Sequence, residues 1–346
     1  MVAPPPIPHT NAYPMDSRWK IRLALTLLVT GPARGLAAQT AGASAADLAV
    51  RLAGMTAVTG YERAMVDTLL TLLPGAERDR AGNAVLVLGS GEAPRRLAAC
   101  PIDETGFAVG RVRPDGWLTL HRSPARLRAP GPLFDQQLEG QRVTVFGRRG
   151  PVPGVVAVRS VHLTRGRASL PGEPFSADDA FVDLGAATER EVAGLGVGVL
   201  SPVAVTKRPH RYGTDKLAAP MAGRRAACAA LLAAARHAVA EHGMVPVRGT
   251  TVVAFVVEQQ LGARGLLTLA TNRGPFEETR VADDAAGAGQ LKSADLPDGP
   301  RAALGRLGGW EIATVYPGTA VETVGLGQVE QVSTTIAGWL RGETGQ

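Results

Sequence analysis

The order of its segments constrains the fold of this chain most: two stretches of alternating helices and short apolar strands flank one stretch of strands alone. Before the middle stretch, Ala84 to Leu88 and Arg96 to Cys100 are apolar runs too short for helices and typical of strands buried on both faces. After it, an alanine-rich helix over Arg224 to His242 precedes a β-branched strand over Thr250 to Val257. Alternation on both sides predicts an α/β sandwich, with a mixed sheet between layers of helices.

The middle stretch, residues 110–217, has a different sequence pattern. Short alternating runs such as Trp117 to His121 and Arg142 to Phe146 are separated by Gly and Pro, which favours a small inserted β-barrel or sandwich. The chain is therefore expected to divide into a leader and signal peptide over 1–38, an α/β domain over 39–109 and 218–346, and an inserted β-rich domain over 110–217.

The C-terminal part of the α/β domain is predicted to begin with a loop. Residues 284–309 are rich in Gly, Ala, Asp and Pro, which favours a loop over a regular element. A last strand over Trp310 to Tyr316 and a last helix over Leu326 to Leu340 are expected to follow.

The first residues have the pattern of an export signal. Arg18 and Lys20 precede a short apolar run from Leu23 to Val29, and small residues follow up to Ala38. Cleavage near this point would give a periplasmic or secreted protein. No run of about 18 apolar residues occurs, so a membrane span is not expected.

Export bears on the two cysteines, Cys100 and Cys228. An oxidising compartment permits a disulfide, whereas cysteines in an aliphatic setting are more often buried thiols. The sequence leaves both alternatives open.

The formal net charge of +6 does not indicate a nucleic-acid partner. Part of the positive charge lies in the signal segment, and the remainder is mostly Arg scattered along the chain. A nucleic-acid binder would concentrate it on one face together with aromatic residues.

Four stretches occur in a fixed order along the chain: Val58 to Glu62, Asp79 to Asn83, Ile102 to Phe107 and Phe181 to Ala186. They read Val-Thr-Gly-Tyr-Glu, Asp-Arg-Ala-Gly-Asn, Ile-Asp-Glu-Thr-Gly-Phe and Phe-Val-Asp-Leu-Gly-Ala. Together, and with a β-rich insert between them, they resemble the tetrahedral, or glutamyl, aminopeptidase family of cocatalytic metallopeptidases.

The resemblance implies a site with two zinc ions. In the family an Asp bridges the ions, His and carboxylate ligands complete each one, and a Glu takes the proton from the attacking water. Zinc favours imidazole nitrogen and carboxylate oxygen, and two ions about 3.5–4 Å apart can hold hydroxide and the substrate carbonyl together. Since the insert makes subunit contacts in the family, the resemblance also implies a homo-oligomer formed through the inserted domain.

Most positions that the resemblance assigns to this site carry unsuitable residues. The first His falls on Pro101, the bridging Asp on Gly223 and the final His on Gly318. The paired Glu residues fall on Gln259 and Gln260. An amide is neutral, so Gln259 cannot act as general base, and Gln260 is a poor zinc ligand.

Two acids of the site remain. Asp103, which orients the first His in the family, has no His to orient here, and Asp283 is the only possible surviving ligand. We therefore expect no cofactor and no bound metal. The altered positions are expected to line one cleft at the carboxyl ends of the central strands, where open α/β sheets hold ligands.

These residues favour a non-catalytic homologue that serves the binding of a peptide or protein ligand, or assembly. One alternative is an active metal-dependent aminopeptidase whose site is rebuilt from Asp103, Glu104, Glu258 and Asp283. Glu258 is expected beside Gln259 on a strand and so on the opposite face, which weakens this alternative. A further alternative is a partner subunit of an active relative.

Overall fold

The computed structural model describes residues 42–89, 91, 93–123, 135, 137–157, 175–242, 249–285 and 298–342. The leader and signal peptide predicted over 1–38 lie outside these residues.

The centre of the fold is a six-stranded mixed sheet with the strand order β1–β2–β12–β3–β13–β14. Its strands are β1 (Glu77–Arg78), β2 (Ala84–Leu88), β3 (Arg95–Pro101), β12 (Thr250–Val256), β13 (Glu278–Asp284) and β14 (Arg306–Ile312). Strands β12, β3, β13 and β14 run parallel to one another, whereas β2 pairs with β12 in the antiparallel sense. The predicted mixed sheet is confirmed.

Helices cover both faces of this sheet, so the predicted α/β sandwich is confirmed as well. The helices of this domain are α1 (Ala45–Ala53), α2 (Arg63–Leu72), α4 (Ala222–His242), α5 (Arg264–Arg273), α6 (Asp298–Ala303) and α7 (Leu326–Leu340), and α3 (Glu189–Gly194) lies in the insert. Among the described residues, none of the helices has the length and hydropathy that a membrane crossing requires.

The strand β12 shows why the sheet is covered on both sides. Its residues Val253 and Phe255 belong to the core beneath α1, α2, α4 and α7. Their neighbours Val252 and Ala254 belong to the core beneath α5. Because successive side chains of a strand point to opposite faces, an apolar run such as this one must be buried on both.

The insert contains a closed six-stranded barrel with the order β4–β5–β8–β7–β6–β9. Its strands are β4 (Gly106–Val112), β5 (Leu118–Ser123), β6 (Arg142–Gly147), β7 (Gly150–Ala157), β8 (Phe181–Asp183) and β9 (Pro202–Val205). A separate apolar core that includes Phe107, Leu118 and Val145 fills it. The predicted small β-barrel is confirmed.

A small sheet connects the returning chain to the C-terminal region. It consists of β10 (His210–Tyr212), β11 (Lys216–Ala218) and β15 (Thr323–Gly325), all antiparallel to their neighbours. Its position places the residues just before β15 against the start of α4, because Ala219 donates its N–H to the carbonyl of Glu322 at 3.0 Å.

The prediction of one loop over 284–309 is wrong in the described residues. Helix α6 occupies Asp298–Ala303, and β14 begins at Arg306 rather than at Trp310 and ends at Ile312. Strand β14 contains the pair Gly308 and Gly309, which weakens the strand pattern of the sequence. Its pairing with β13 along the whole strand outweighs this local preference.

Cys100 at the end of β3 and Cys228 on α4 form a disulfide, with Cα atoms 5.4 Å apart. The two residues are 128 positions apart in sequence, so the bond closes a loop that contains the whole barrel. It ties α4 directly to the carboxyl end of a central strand.

Candidate functional site

The carboxyl ends of β3 and β12 lie side by side and bring the sequence-predicted positions Pro101, Asp103 and Gln260 to one edge of the sheet. Pro101 pairs with Val256 at the last register position of the two strands. Just beyond, the backbone N–H of Gln260 donates to Oδ2 of Asp103 at 2.9 Å, and the Thr59 hydroxyl donates to the same oxygen at 2.9 Å. Gln259 and Gln260 lie in a 3₁₀ turn. The contact of Gln260 with Asp103 is made by its backbone N–H and not by its side chain.

Two further positions meet at one carboxylate. Glu322 accepts the N–H of Gly223 through Oε1 at 2.7 Å and the N–H of Gly318 through Oε2 at 2.9 Å. The positions that the resemblance assigns to the bridging Asp and the final His are therefore neighbours in space. Each offers a backbone N–H, a donor, where a metal ligand must offer a lone pair.

The two glycines differ in the room around them. A Cβ atom at Gly223 would lie 2.4 Å from Cγ2 of Thr314 and 2.8 Å from Cβ of Asp284. At Gly318 no atom lies within 4 Å of such a Cβ, although the backbone φ is +72°. A side chain is thus disfavoured by close contacts at Gly223, and by the backbone conformation alone at Gly318.

Arg224, the first-turn neighbour of Gly223 on α4, connects the two remaining acids. Its Nε and Nη2 lie 3.0 and 3.1 Å from Oδ1 and Oδ2 of Asp283. Its Nη1 lies 2.9 Å from the carbonyl oxygen of Asp103 and 3.5 Å from the Oδ1 atom of that residue. The side chains of Arg224, Asp103 and Asp283 are at most 3% exposed, so this ion pair network is shut off from solvent.

A second buried group of charges lies next to the first. Oε2 of Glu104 accepts from Nζ of Lys207 and from Nη2 of Arg225, the latter at 2.7 Å, and all three side chains are at most 2% exposed. Glu104 stands between β3 and β4, and Lys207 follows β9. The cluster therefore joins both chain connections of the barrel to α4.

The remaining acids of the rebuilt-site alternative do not converge. Glu258 lies beyond the end of β12 with a left-handed backbone, and its carboxylate pairs with Arg264 at 3.1 Å. The strand position expected for Glu258 was wrong, because β12 ends at Val256. Its N–H donates to Oε1 of Glu62, which also accepts from the N–H of Gly60, each at 3.0 Å. Within the part of the chain that is described, no group of three or more His, Cys, Asp or Glu residues is arranged to hold a metal ion.

Burial dominates the protonation equilibria of the site. It raises the pKa of Asp283 to about 6 against the opposing effect of Arg224, and the neighbouring charge of Asp284 adds to the rise. Burial also raises the pKa of Asp103 and of Glu322.

In the second group, cations outweigh burial at Glu104, whereas burial prevails at Lys207. Burial pushes the pKa of Glu104 upward, but Lys207 and Arg225 hold it below its ordinary value. Burial in turn lowers the pKa of Lys207 to about 8, although Glu104 favours its charged form. Glu104 is thus an ionised counter-ion rather than a free base.

Several residues of the site were not assigned to it from the sequence. Glu62 stands in a stretch that carries the resemblance, and Glu322 lies four residues after Gly318, so the sequence offered a signal for both. Lys207 and Asp284 gave no such signal, because their partners are remote in sequence or belong to another element.

The residues present do not fit a pair of zinc ions. Asp283, the only possible surviving ligand, has both carboxylate oxygens occupied by Arg224. The bridging position is a glycine packed against Thr314, and the base position is an amide. The site therefore offers neither the ligand set nor the general base that two-metal hydrolysis needs.

Comparison with protein families gives one match over most of this region. Residues 82–294 match the model of a family described as M42 glutamyl aminopeptidase.

Two curated relatives are similar over part of their length. The putative aminopeptidase SgcX of Escherichia coli K12 is 30% identical over 189 residues, which is 52% of this chain and 47% of that protein. The lysyl aminopeptidase of Pyrococcus furiosus is 27% identical over 226 residues, which is 59% of this chain and 61% of that protein. The chain thus spans less than two thirds of the length of either relative.

Solved structures share the fold. The TET1 peptidase of Pyrococcus horikoshii, which can assemble into a tetrahedron or a large octahedral shell, has a TM-score of 0.70 and 18% identity over 86% of this chain and 99% of that chain. A TET aminopeptidase from a marine sediment archaeon of the Thaumarchaeota has a TM-score of 0.69 and 18% identity over 86% and 96% of the two chains.

Proposed function

The chain belongs to the M42 glutamyl aminopeptidase family, and we propose that it is an exported, non-catalytic member that serves binding or assembly in place of peptide hydrolysis. The proposal rests on the chemistry of the residues at the carboxyl edge of the sheet. A hydrolase of this kind needs ligands that donate electron pairs and a base that accepts a proton.

The main support for the proposal is that the Glu322 carboxylate accepts the backbone N–H groups of both Gly223 and Gly318. Two positions that the resemblance assigns to metal ligands meet at this carboxylate, and both present N–H groups to it. Each oxygen of this carboxylate accepts one backbone N–H, so Glu322 holds the two glycine positions to each other. This supports a site that keeps the architecture of the family while lacking its chemistry.

The residues at the positions that the resemblance assigns to the paired Glu support the same proposal. Gln259 is a neutral amide and takes no proton at any physiological pH. The N–H of Gln260 is engaged with Asp103 at 2.9 Å. Neither Gln259 nor Gln260 can therefore activate a water molecule in the manner of the family.

The disulfide supports the proposed export. Cys100 and Cys228 are bonded and fully buried, and structural disulfides persist mainly in oxidising compartments. N-terminal sequencing of the protein from culture fluid or periplasm should find a start near Ala38 or Gln39. Soluble cytoplasmic protein that still carries Met15 would contradict the proposed export.

We also propose a homo-oligomer built through the barrel. The support is the assembly stated for the TET1 peptidase of Pyrococcus horikoshii, together with exposed apolar side chains on the barrel, Trp117 and Val155 at 37% and 47%. A Val155→Asp variant should lower the molar mass measured by light scattering and leave the circular dichroism spectrum unchanged. Equal masses for both proteins would exclude this part of the barrel as the contact.

Hydrolysis assays on the purified mature chain test the loss of activity. Aminoacyl p-nitroanilides with acidic, basic and apolar residues are supplied with zinc, cobalt or manganese, and an active M42 aminopeptidase serves as positive control. We expect no turnover above the blank with any of these metals. Metal-dependent turnover that Asp283→Asn abolishes would overturn the proposal and favour the rebuilt-site alternative.

A further inference from the structure

Arg224 is placed differently from the other buried arginine of α4. The acid beside Arg225, Glu104, already has a second cation in Lys207. Arg224 instead stands between two acids, Asp103 and Asp283, and is the cation that the structure gives to both. Among the described residues, its ion pairs thus set two carboxylates against one cation.

The two acids come from separate strands and would repel each other if nothing lay between them. Asp103 follows β3, Asp283 lies on β13, and both are at most 1% exposed. A buried carboxylate without a partner is costly, since neither water nor a counter-ion screens it. Asp284 and Glu322, both also buried, add further negative charge close by.

We infer that the Arg224 guanidinium is the resident cation of this site, holding Asp103 and Asp283 together where relatives of this chain would use metal ions. The inference rests on the proposed loss of the metals and deepens it by naming what replaced them. A guanidinium suits the task because it is always charged and presents planar donors that match a carboxylate. Because the guanidinium belongs to a residue of α4, it stays in the site whatever the concentration of metal ions.

Neighbouring residues fix the position of this cation. Cys228 lies four residues after Arg224 on α4, so the two side chains share one face of the helix. The disulfide to Cys100 then anchors that face to β3, the strand that leads to Asp103. Gly223, without a side chain, lets the first turn of α4 approach Thr314 and Asp284 closely.

The experiment removes the resident cation and offers small cations in its place. Thermal unfolding of wild type, Arg224→Ala and Arg225→Ala is followed with EDTA, with zinc chloride and with guanidinium chloride far below its denaturing range. The wild-type midpoint should be the same in all three. Arg224→Ala should unfold at a lower temperature and regain part of the loss with zinc or guanidinium, because two buried carboxylates then surround a cation-sized space.

Arg225→Ala is the matched control. It removes the same side chain from the same helix turn, but Glu104 keeps Lys207, so its midpoint should fall without any recovery on addition of either cation. Equal responses of the two variants, or no response of Arg224→Ala, would overturn the inference. A wild-type midpoint that rises with zinc would instead contradict the proposed loss of metal binding.

A second pair of variants covers the case in which Arg224→Ala does not fold. Arg224→Lys keeps the charge and loses the planar fork, whereas Arg224→Gln keeps a polar side chain and loses the charge. The lysine variant should unfold at a clearly higher temperature than the glutamine variant. Equal midpoints would show that packing, and not charge, is what Arg224 supplies.

Discussion

Arg224 and Asp283 face each other through two parallel contacts, Nε to Oδ1 at 3.0 Å and Nη2 to Oδ2 at 3.1 Å. The residues are 59 positions apart in sequence, and the pair fixes the first turn of α4 on the carboxyl end of β13. Such two-point pairing constrains orientation as well as distance. It explains how this edge of the sheet can stay ordered with glycines at two of the positions that the resemblance assigns to metal ligands.

The charge cluster that joins the barrel to α4 should be sensitive to loss of its acid. In Glu104→Gln, Lys207 and Arg225 would remain buried without a carboxylate, and breaking a buried pair in this way costs about 3–5 kcal/mol. Urea unfolding measures the difference. Asp67→Asn is the control, because its partner Arg78 and Asp67 itself are partly exposed, and it should cost no more than about 1 kcal/mol. Similar losses in both variants would contradict this account of the cluster.

Stability should depend on pH through Asp283. Burial raises its folded pKa to about 6 from an ordinary value of 3.8, so the folded state holds the proton more tightly than the unfolded state. The resulting stabilisation is present below pH 4 and is lost as the pH rises through 6. Relative to Asp283→Asn, which does not titrate, the wild type should lose on the order of 2–3 kcal/mol between these limits.

The pH experiment compares the unfolding free energies of wild type and Asp283→Asn at closely spaced pH values. Their difference should be constant above about pH 7, since Asp283 is then ionised in both folded and unfolded states. A difference that grows in favour of the wild type as the pH rises from 4 to 6 would have the opposite sign and would refute the raised pKa.

The disulfide should contribute much of the stability of the mature protein. Its residues are 128 positions apart, and a loop of this size corresponds to about 4–5 kcal/mol in the chain-entropy model. Replacement of both Cys100 and Cys228 by Ala should lower the unfolding free energy by this order. Reductant should destabilise the wild type and leave the double variant unchanged; a response of the double variant would point to another cause.

Restoring the bridging acid should not restore a metal site. In Gly223→Asp the new Cβ would meet Thr314 at 2.4 Å and Asp284 at 2.8 Å, and crowding of this kind costs about 1–3 kcal/mol. Gly223→Ala shares the crowding without the charge, so the extra loss in the Asp variant measures repulsion by Asp284 and Glu322. Tight zinc binding by Gly223→Asp alone would show that the cleft is more adaptable than its contacts indicate.

The sequence predicted the sheet and the barrel because their signals are local. Apolar runs such as Ala84–Leu88 are too short for helices, and the helix Leu326–Leu340 has the bounds that its periodicity predicts. Strand β14 was placed too late because Gly308 and Gly309 weaken its pattern, and only pairing with β13 reveals it.

The site was only partly predictable, for a related reason. Gly223 and Gly318 could be singled out through the resemblance, but the contact that joins Gly223 to Glu322, and so to Gly318, spans 99 positions. Lys207 is 103 positions from its partner Glu104. A single sequence carries no record of such contacts, so the cations that neutralise the buried acids emerge only in the folded chain.

The zinc content of the oxidised, mature chain tests the central claim most directly. The protein is dialysed against excess zinc, passed through a desalting column and analysed for metal per chain, with an active M42 aminopeptidase treated in parallel. Asp283 is held by Arg224, and the other positions that the resemblance assigns to ligands carry Pro101, Gly223, Gln260 and Gly318. We therefore predict retained zinc far below one ion per chain. Two tightly held zinc ions per chain would contradict the claim that this member of the family has exchanged its metals for an arginine.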